Sequence, residues 1–381
     1  MMTGMTRHER CLAAIGGRQV DRPPRYIPAI ACEVSSRILG RPVHTGTGSL
    51  HYAETCALVR GPEAHAAFVA TLFEDMAALL RELDIDVFRM PWRQTIRPTR
   101  QIDEFTFLFG DPDGDHQIQA YMPETGDFGV IRTVRVHPDT DPVEVLRSQV
   151  EAGEAELADG VLENHPLPAD HRRICEAFGA EFFIPCNGGE ISVGFEEDML
   201  MAMVTDPDLV RRFLMLQAEK ALALGRALAR SPYPRILLGG GDMAGNDGPF
   251  FSPQSFREVH LPVLKYLMHG LDELGVHYVF RTDGDLWSVA DMIFREAGCP
   301  GYGEVDRDAG MTTERLRRTY PDLVLWNNLS CPKIQLNSAA WVHEESRRCI
   351  GESGGTRYFH GSSNAIIMGT PVANVHALFS S

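Results

Sequence analysis

One pattern recurs along most of the chain: a short apolar run, a polar or glycine-rich turn, and then a long amphipathic helix. Parallel α/β proteins show this alternation, because a helix must return the chain to the same end of the sheet after each strand. Eight such runs predict strands, at Arg25–Ala31, Asp86–Met90, Phe182–Cys186, Arg235–Leu238, Val276–Arg281, Tyr302–Val305, Leu323–Asn327 and Arg357–His360. Eight strands alternating with helices predict an α/β fold of the (β/α)8 TIM barrel type.

One segment interrupts this alternation. Between residues 95 and 136, apolar and polar residues alternate on both sides of the turn sequence Asp111-Pro112-Asp113-Gly114-Asp115. A period of two around a turn is typical of antiparallel strands. We therefore predict an antiparallel hairpin or small sheet at about 95–136, inserted into a single barrel domain that covers residues 1–381.

Several helices carry clear start signals. Thr6 and Glu9 have the spacing of a capping box, ahead of an apolar helical face. Asp206-Pro207 and Ser252-Pro253 each place a capping residue before a proline, which is favoured at the first position of a helix.

Composition excludes several classes of function. The net charge of −16 argues against general nucleic-acid binding and against docking on an anionic membrane. No run of about 18 apolar residues is present, which also argues against a membrane span. The eight cysteines match no zinc-ribbon or zinc-finger spacing, and we expect reduced, mostly buried thiols. A soluble, cytoplasmic protein is the expectation from these features.

Candidate site residues are sought where the predicted strands end, because barrel enzymes bind substrate at the carboxyl ends of their strands. The candidates for catalysis are Asp86, Asp242, Arg281, Asp283, Glu304 and His360. The candidates for substrate binding are Arg25, Arg89, Asn187, Asn327, Ser363 and Asn364. The Gly239–Gly241 run has neither the ending nor the spacing of a phosphate-binding loop.

The residue types leave two chemistries open. Asp283, Glu304 and His360 could hold a divalent metal. Equally, Arg281 could bind a carboxylate while a neighbouring acid protonates a carbon atom. Structural roles also remain open: Asp283 as a turn residue, Asp242 as a cap for backbone amides, Glu304 as the ion-pair partner of Arg281, and His360 as a core histidine bonded to a carbonyl.

At these loops the sequence resembles the uroporphyrinogen decarboxylase superfamily, which includes the haem-pathway decarboxylase and corrinoid-linked methyltransferases. The segments that carry the resemblance are Thr6–Gly17, Asp21–Pro24, Gly241–Ala244, Ser252–Arg257, Arg281–Asp285, Ser362–Asn364 and Gly369–Val375. Their order and spacing span most of the chain. The resemblance implies a (β/α)8 barrel, and a homodimer as in the decarboxylases.

Two motifs of the superfamily are absent. The decarboxylase has an Arg-Gln-Ala-Gly-Arg loop after its first strand, and Tyr26–Glu33 replaces it here. Asp86 is a plausible counterpart of the decarboxylase's catalytic aspartate. Asn364 stands at the position of its C-terminal histidine. The His-x-Cys zinc motif of the thiol-activating methyltransferases reads Arg281-Thr282-Asp283, and Ser362-Ser363 stands near the position of its later cysteine. Arginine does not ligate zinc, so that thiolate site cannot form.

The branch that the resemblance favours is a corrinoid (cobalamin)-dependent methyltransferase that demethylates a small O-methyl substrate. It would use a corrinoid on a partner protein, with a divalent metal as a further possible cofactor. Asp242, Asp283, Glu304 and His360 would then activate the leaving oxygen, and Arg281 would hold a carboxylate or oxyanion of the substrate. The alternative is a cofactor-free decarboxylase of uroporphyrinogen or a smaller aromatic or pyrrolic acid, with Asp86 as its central residue and Arg25 and Arg281 among the arginines that bind carboxylates. A third hypothesis is a binding barrel that has lost its chemistry.

Overall fold

A computed structural model describes residues 4–135, 141–194 and 197–380. The strands in these residues are β1 (Arg100–Gln101), β2 (Thr106–Gly110), β3 (His116–Met122), β4 (Asp127–Val134), β5 (Cys186–Glu190), β6 (Ile236–Gly240), β7 (Ala244–Gly245), β8 (Gly248–Pro249), β9 (His277–Arg281), β10 (Gly301–Gly303), β11 (Val324–Trp326) and β12 (Tyr358–Phe359). The α-helices are α1 (Arg7–Ile15), α2 (Cys32–Leu39), α3 (Thr47–Arg60), α4 (Pro62–Glu82), α5 (Pro142–Ala158), α6 (Ala169–Phe178), α7 (Glu197–Thr205), α8 (Pro207–Ala229), α9 (Pro253–Glu273), α10 (Thr313–Thr319), α11 (Cys331–Leu336), α12 (Ala339–Glu352) and α13 (Val372–Phe379). A short π-helix covers Met292–Glu296.

Six parallel strands form the main sheet, in the order β12-β11-β10-β9-β6-β5. Each strand lies beside the next one of this set along the chain, and helices occupy the connections. The prediction of a parallel α/β fold is therefore confirmed. The carboxyl ends of the six strands lie at one edge, where the candidate residues were sought.

The first two predicted strands form no continuous ladder. Arg25 and Ile30 make single parallel bridges, to His360 and Ile366, and Val87 makes one to Phe183. The amide of Asp86 also donates to the carbonyl of Arg25, at 3.1 Å. Pro28 removes a backbone donor from the middle of the first segment, and Pro23 and Pro24 remove two more directly before it, which explains why its pairing is interrupted. The third predicted strand is displaced, since β5 begins where the prediction ends.

The sheet is buried on both faces. Alternate residues of the strands contribute to two apolar clusters, one small and one large. Leu238, Val279 and Trp326 belong to the small cluster, together with Tyr26 and Phe359. Leu237, Tyr278, Phe280, Leu325 and Tyr358 belong to the large cluster, which includes the apolar faces of the helices. A parallel sheet covered on both faces explains why its strands read as apolar runs rather than as alternating patterns.

A second sheet occupies the segment where the sequence predicted a hairpin or small sheet. Its order is β1-β2-β3-β4 and all its pairs are antiparallel, which confirms the prediction as far as residue 135; Val136 lies outside the described residues. The sheet packs on α3, where the rings of Tyr52 and Tyr121 stack at 4.3 Å. A Cβ atom at Gly48 of this helix would lie 2.3 Å from the backbone nitrogen of Phe128, so glycine allows the close approach.

The helix starts agree with their sequence signals. Thr6 and Glu9 form a reciprocal capping box at α1. Asp206 caps α8 and Ser252 caps α9, each through a hydrogen bond to a backbone amide of the first turn. All eight cysteines are unpaired, as expected. Within the described residues, no helix is both long and apolar enough to cross a membrane.

Candidate functional site

The loop after β6 is fixed against the residues that follow β9. The amide of Gly241 donates to the carbonyl of Arg281 at 2.9 Å, and the amide of Met243 donates to the Thr282 hydroxyl at 3.3 Å. Further along, the amide of Asp285 donates to the carbonyl of Gly245 at 2.9 Å. These bonds hold the loop that carries Asp242 beside the loop that carries Asp283.

Close packing of strands explains the triple-glycine run. The Tyr278 hydroxyl donates to the carbonyl of Gly189 at 2.6 Å and accepts from the amide of Gly240 at 2.7 Å. A Cβ atom at Gly239 would lie 2.0 Å from that carbonyl oxygen and 2.2 Å from the hydroxyl. Glycine at position 239 is therefore needed for this strand contact, and the absence of a phosphate loop stays a prediction.

A buried ion network joins three strands at this edge. Arg281 contacts Glu304 at 3.0 Å and Glu190 at 3.5 Å, and Arg89 contacts Glu304 at 3.5 Å. Glu304 is 8% exposed. Two guanidinium groups therefore share one buried carboxylate, so the ion pair weighed from the sequence is present and neither arginine is a free cation.

Two further carboxylates, those of Asp242 and Asp283, lie in the same region, and no arginine or lysine of the described residues lies within salt-bridge distance of either. The Asn364 amide donates to Asp283 at 3.2 Å. Burial, with help from Asp242 and Glu304, raises the pKa of Asp283 to about 6, although the Asn364 donor opposes this. Burial and Glu304 also raise the pKa of Asp242, while Arg281 acts in the opposite direction. A carboxyl group with such a pKa can hold or release a proton near neutral pH, which suits acid–base chemistry.

We call Arg89, Glu190, Asp242, Arg281, Asp283, Glu304 and Asn364 the rim cluster. Three other candidates lie in or after strands of the main sheet: Asn187 within β5, Asn327 after β11 and Ser363 after β12. The Asn187 amide donates to the carbonyl of Met90 at 3.1 Å, and the Ser363 hydroxyl lies 3.3 Å from the Cys331 sulfur. Asn327 is fully buried, and neither polar atom of its side chain has a hydrogen-bond partner in the described chain.

His360 makes contacts typical of a core histidine. Its Nε2 lies 3.0 Å from the carbonyl oxygen of Leu378, and its Nδ1 lies 3.2 Å from the Tyr358 hydroxyl. Burial lowers the pKa of His360 to about 4, so the ring is neutral at ordinary pH. Both ring nitrogens are therefore engaged away from Asp283 and Glu304.

Asp86 and Arg25 belong to a separate ion network at the start of their segments. Asp86 is fully buried and accepts hydrogen bonds from Arg10 at 2.6 Å, from Arg22 at 2.5 Å and from the backbone amide of Arg25 at 2.7 Å. The Arg25 guanidinium contacts Asp84 at 2.9 Å. These contacts explain the burial of Asp86 without a substrate.

The proposed metal ligands do not form a ligand set. In residues 4–135, 141–194 and 197–380, no three His, Cys, Asp or Glu side chains are grouped so that they could hold a metal ion. His360 would have to give up its bonds to Leu378 and Tyr358 before it could bind a metal beside Asp283 and Glu304.

Sequence reasoning missed two members of this region. Glu190 contacts Arg281, and its signal was available, because it ends the polar segment that follows the predicted strand Phe182–Cys186. Tyr26 lies beside Arg89 and Arg281 and is 2% exposed. An aromatic residue in an apolar run gives no sequence signal that separates a core ring from a ring at a site.

Comparison with solved structures supports the fold. This chain resembles a methyltransferase from Methanosarcina mazei with a TM-score of 0.60 and 17% sequence identity, over 98% of this chain and 97% of that chain. No protein-family model matches the sequence, and no curated protein matches it. The chain therefore shares the fold of that methyltransferase over almost the full length of both proteins.

Proposed function

We propose that this protein is a methyltransferase of the uroporphyrinogen decarboxylase superfamily, which transfers the methyl group of a small O-methyl substrate to a corrinoid on a partner protein. Two observations support this proposal: the fold shared with the Methanosarcina mazei enzyme, and the ordered segments that resemble the superfamily. The reduced corrinoid would supply the nucleophile that accepts the methyl group.

The proposal includes a closed eight-stranded barrel. The bridges of Arg25 to His360 and of Val87 to Phe183, together with the bond between Asp86 and Arg25, link the two outer strands of the main sheet through the interrupted segments. The small apolar cluster is then the barrel interior. This closure would place the rim cluster around one opening, which is where barrel enzymes act.

The raised pKa of Asp283 is the observation that supports the proposed cleavage of a methyl ether. Cleavage of a methyl ether requires the leaving oxygen to receive a proton or another form of stabilisation. Asp283 is half-buried beside two other carboxylates, and its pKa of about 6 allows it to hold a proton that an ordinary aspartate would have lost. The Asn364 amide, at 3.2 Å, orients this carboxyl group.

Arg281 acts as a fixed donor rather than as a mobile clamp. Its contacts with Glu304 and Glu190 hold the guanidinium in place, and they balance its charge. A substrate oxygen that gains negative charge would be stabilised by such a preorganised group without any rearrangement. Glu304 is therefore a positioning residue, since it acts through the two arginines that share it.

No metal-dependent step is included, because the carboxylates and histidine in question do not fit a metal site, as described above. Decarboxylation is the less well supported alternative. Its central residue, Asp86, is fully buried in bonds to Arg10, Arg22 and the Arg25 amide, which leaves it no open side toward a substrate ring.

The test is consumption of cob(I)alamin by the purified chain with a panel of methoxylated aromatic and aliphatic compounds, followed by absorbance and by mass spectrometry of the demethylated product. We expect turnover with at least one compound, and we expect Asp283→Asn to reduce it at least about 100-fold. Asp113→Asn, in an exposed turn, is the matched control. Absence of turnover across the panel, with and without added divalent metal, would refute the proposal.

A further inference from the structure

Three buried hydrogen-bond donors near the rim cluster have no acceptor in the described chain. They are the hydroxyl of Tyr26, Nε1 of Trp326 and Nε of Arg281. Tyr26 is 2% exposed and Trp326 is 1% exposed. Buried polar groups almost always have a partner, so three unpaired donors on neighbouring side chains require an explanation.

The strand register places these side chains together. Gly303 of β10 pairs with Arg281 of β9 on one side and with Trp326 of β11 on the other. A Cβ atom at Gly303 would lie 3.0 Å from Cγ of Arg281 and 3.7 Å from Cβ of Trp326. Arg281 and Trp326 therefore flank the glycine on the same face of the sheet, and no side chain separates them.

Tyr26 completes the group from the first segment. Its ring meets that of Trp326 edge to face, with 5.2 Å between the centroids. Its hydroxyl lies within electrostatic range of Arg89, Arg281 and Glu304, and Arg89 is placed to donate to its oxygen, which leaves the phenol hydrogen without an acceptor. Burial raises the pKa of the Tyr26 phenol, so the group is a neutral O–H that still has a hydrogen to donate.

All three groups need a hydrogen-bond acceptor as their partner. An indole N–H and a guanidinium N–H only donate, and the phenol requires an acceptor for its hydrogen. Left unpaired, each buried donor loses the hydrogen bond that it makes to water in the unfolded chain, which destabilises the folded state. A ligand oxygen with free lone pairs would satisfy them, whereas a methylammonium group offers no lone pair.

We infer that Tyr26, Trp326 and Arg281 form a subsite for a substrate oxygen that carries or gains negative charge. The inference rests on the proposed function in one respect, namely that this oxygen is the one that loses the methyl group. When the carbon–oxygen bond breaks, its electron pair would stay on the oxygen, and the reduced corrinoid would accept the methyl group. The proton held by Asp283 would then restore the hydroxyl group, and solvent would reprotonate Asp283. The subsite thus selects oxygen-linked methyl groups over cationic nitrogen-linked ones.

The test uses 4-nitrophenol as a probe, because its phenolate form has its own visible absorbance and its binding needs no methyl transfer. We expect the wild-type chain to bind the phenolate in preference to the phenol, so that the pKa of the bound probe falls. Tyr26→Phe should weaken phenolate binding about tenfold, the value of one hydrogen bond to a charged acceptor. Trp326→Phe should weaken it by a similar factor.

Tyr302→Phe is the matched control. The Tyr302 hydroxyl is also buried without a partner in the described chain, but its ring packs on Phe294 of the π-helix. This variant should bind the probe as the wild type does. Because the Tyr26 hydroxyl has no protein acceptor, Tyr26→Phe should also unfold at the wild-type temperature, which separates lost binding from lost structure.

The remaining outcomes test the subsite and the proposed methyl transfer separately. Failure of the wild type to bind 4-nitrophenolate would overturn the subsite, and so would equal affinity in the wild type and Tyr26→Phe. If the probe binds through Tyr26 while no methoxylated compound is demethylated, the subsite stands and the proposed methyl transfer falls.

Discussion

Replacement of Asp283 by asparagine should stabilise the protein at neutral pH. The aspartate lies beside Asp242 and Glu304 in a half-buried position, which raises its pKa from the ordinary 3.8 to about 6. Such a group costs the folded state stability once it ionises, since the unfolded chain ionises it more easily. Asparagine keeps an oxygen that can accept the hydrogen bond from Asn364, and it removes the charge.

The magnitude follows from the pKa change. Converted in full, the rise of the pKa from 3.8 to about 6 would correspond to about 3 kcal/mol in the free energy of unfolding, since one pKa unit corresponds to 1.36 kcal/mol. Asp283 is partly exposed, and solvent screening reduces the expected gain to about 1 kcal/mol. The gain should be absent below about pH 3, where both states are protonated, should grow between about pH 4 and pH 6, and should be constant above about pH 7.

The assay is urea unfolding of the wild type, Asp283→Asn and the exposed control Asp113→Asn at pH 4, 5, 6, 7 and 8. The difference between Asp283→Asn and the wild type is the measured quantity at each pH. A gain of the same size at pH 4 and pH 8, or no gain at pH 8, would show that Asp283 is not held in a region that opposes its charge.

Three other variants test the remaining parts of the structure by urea unfolding. Asp86→Asn should cost about 3 kcal/mol, because it leaves the guanidinium groups of Arg10 and Arg22 without their buried partner; a loss under 1 kcal/mol would contradict this. Tyr278→Phe should cost about 2 kcal/mol, since the Gly189 carbonyl and the Gly240 amide lose a common partner, and a neutral effect would refute that bridge. Asn327→Gly should be more stable than Asn327→Ala by about 1 kcal/mol, because only glycine adopts the left-handed φ of 65° without strain; equal stabilities would refute the strain.

The sequence predicted the elements that depend on local or periodic signals. The capping residues, the order of helices and strands, and the antiparallel sheet before residue 136 all follow from such signals. It failed at Arg25–Ala31, where prolines interrupt pairing although the residues are apolar, and at β5, which begins four residues later than predicted. In both cases the strand boundaries depend on which distant segment supplies the hydrogen-bond partners. The spacing of apolar residues contains no information about those partners.

The candidate site divides for a related reason. Asp242, Arg281, Asp283 and Glu304 follow strands that are adjacent in the sheet, so strand order alone predicts that they lie near one another. His360 also follows a strand, yet its ring contacts the carbonyl of Leu378 in α13. A buried histidine and a site histidine have the same sequence context, and the difference lies in which distant group bonds to the ring.

Backbone strain distinguishes the two residues that follow β10 and β11. Glu304 and Asn327 have φ angles of 62° and 65°, a region in which a Cβ atom is unfavourable and glycine is the usual choice. The last residue of β6 and the loop after β9 have glycine at positive φ, Gly240 at 85° and Gly284 at 80°. Glycine therefore occupies the positions at which only the backbone turn is needed. Glu304 and Asn327 have a side chain at the same kind of backbone conformation, at a cost in strain. At Glu304 the requirement is visible, because its carboxylate is the one that both Arg89 and Arg281 share. At Asn327 no protein group within the described residues bonds to either polar atom of the side chain, although the side chain is fully buried.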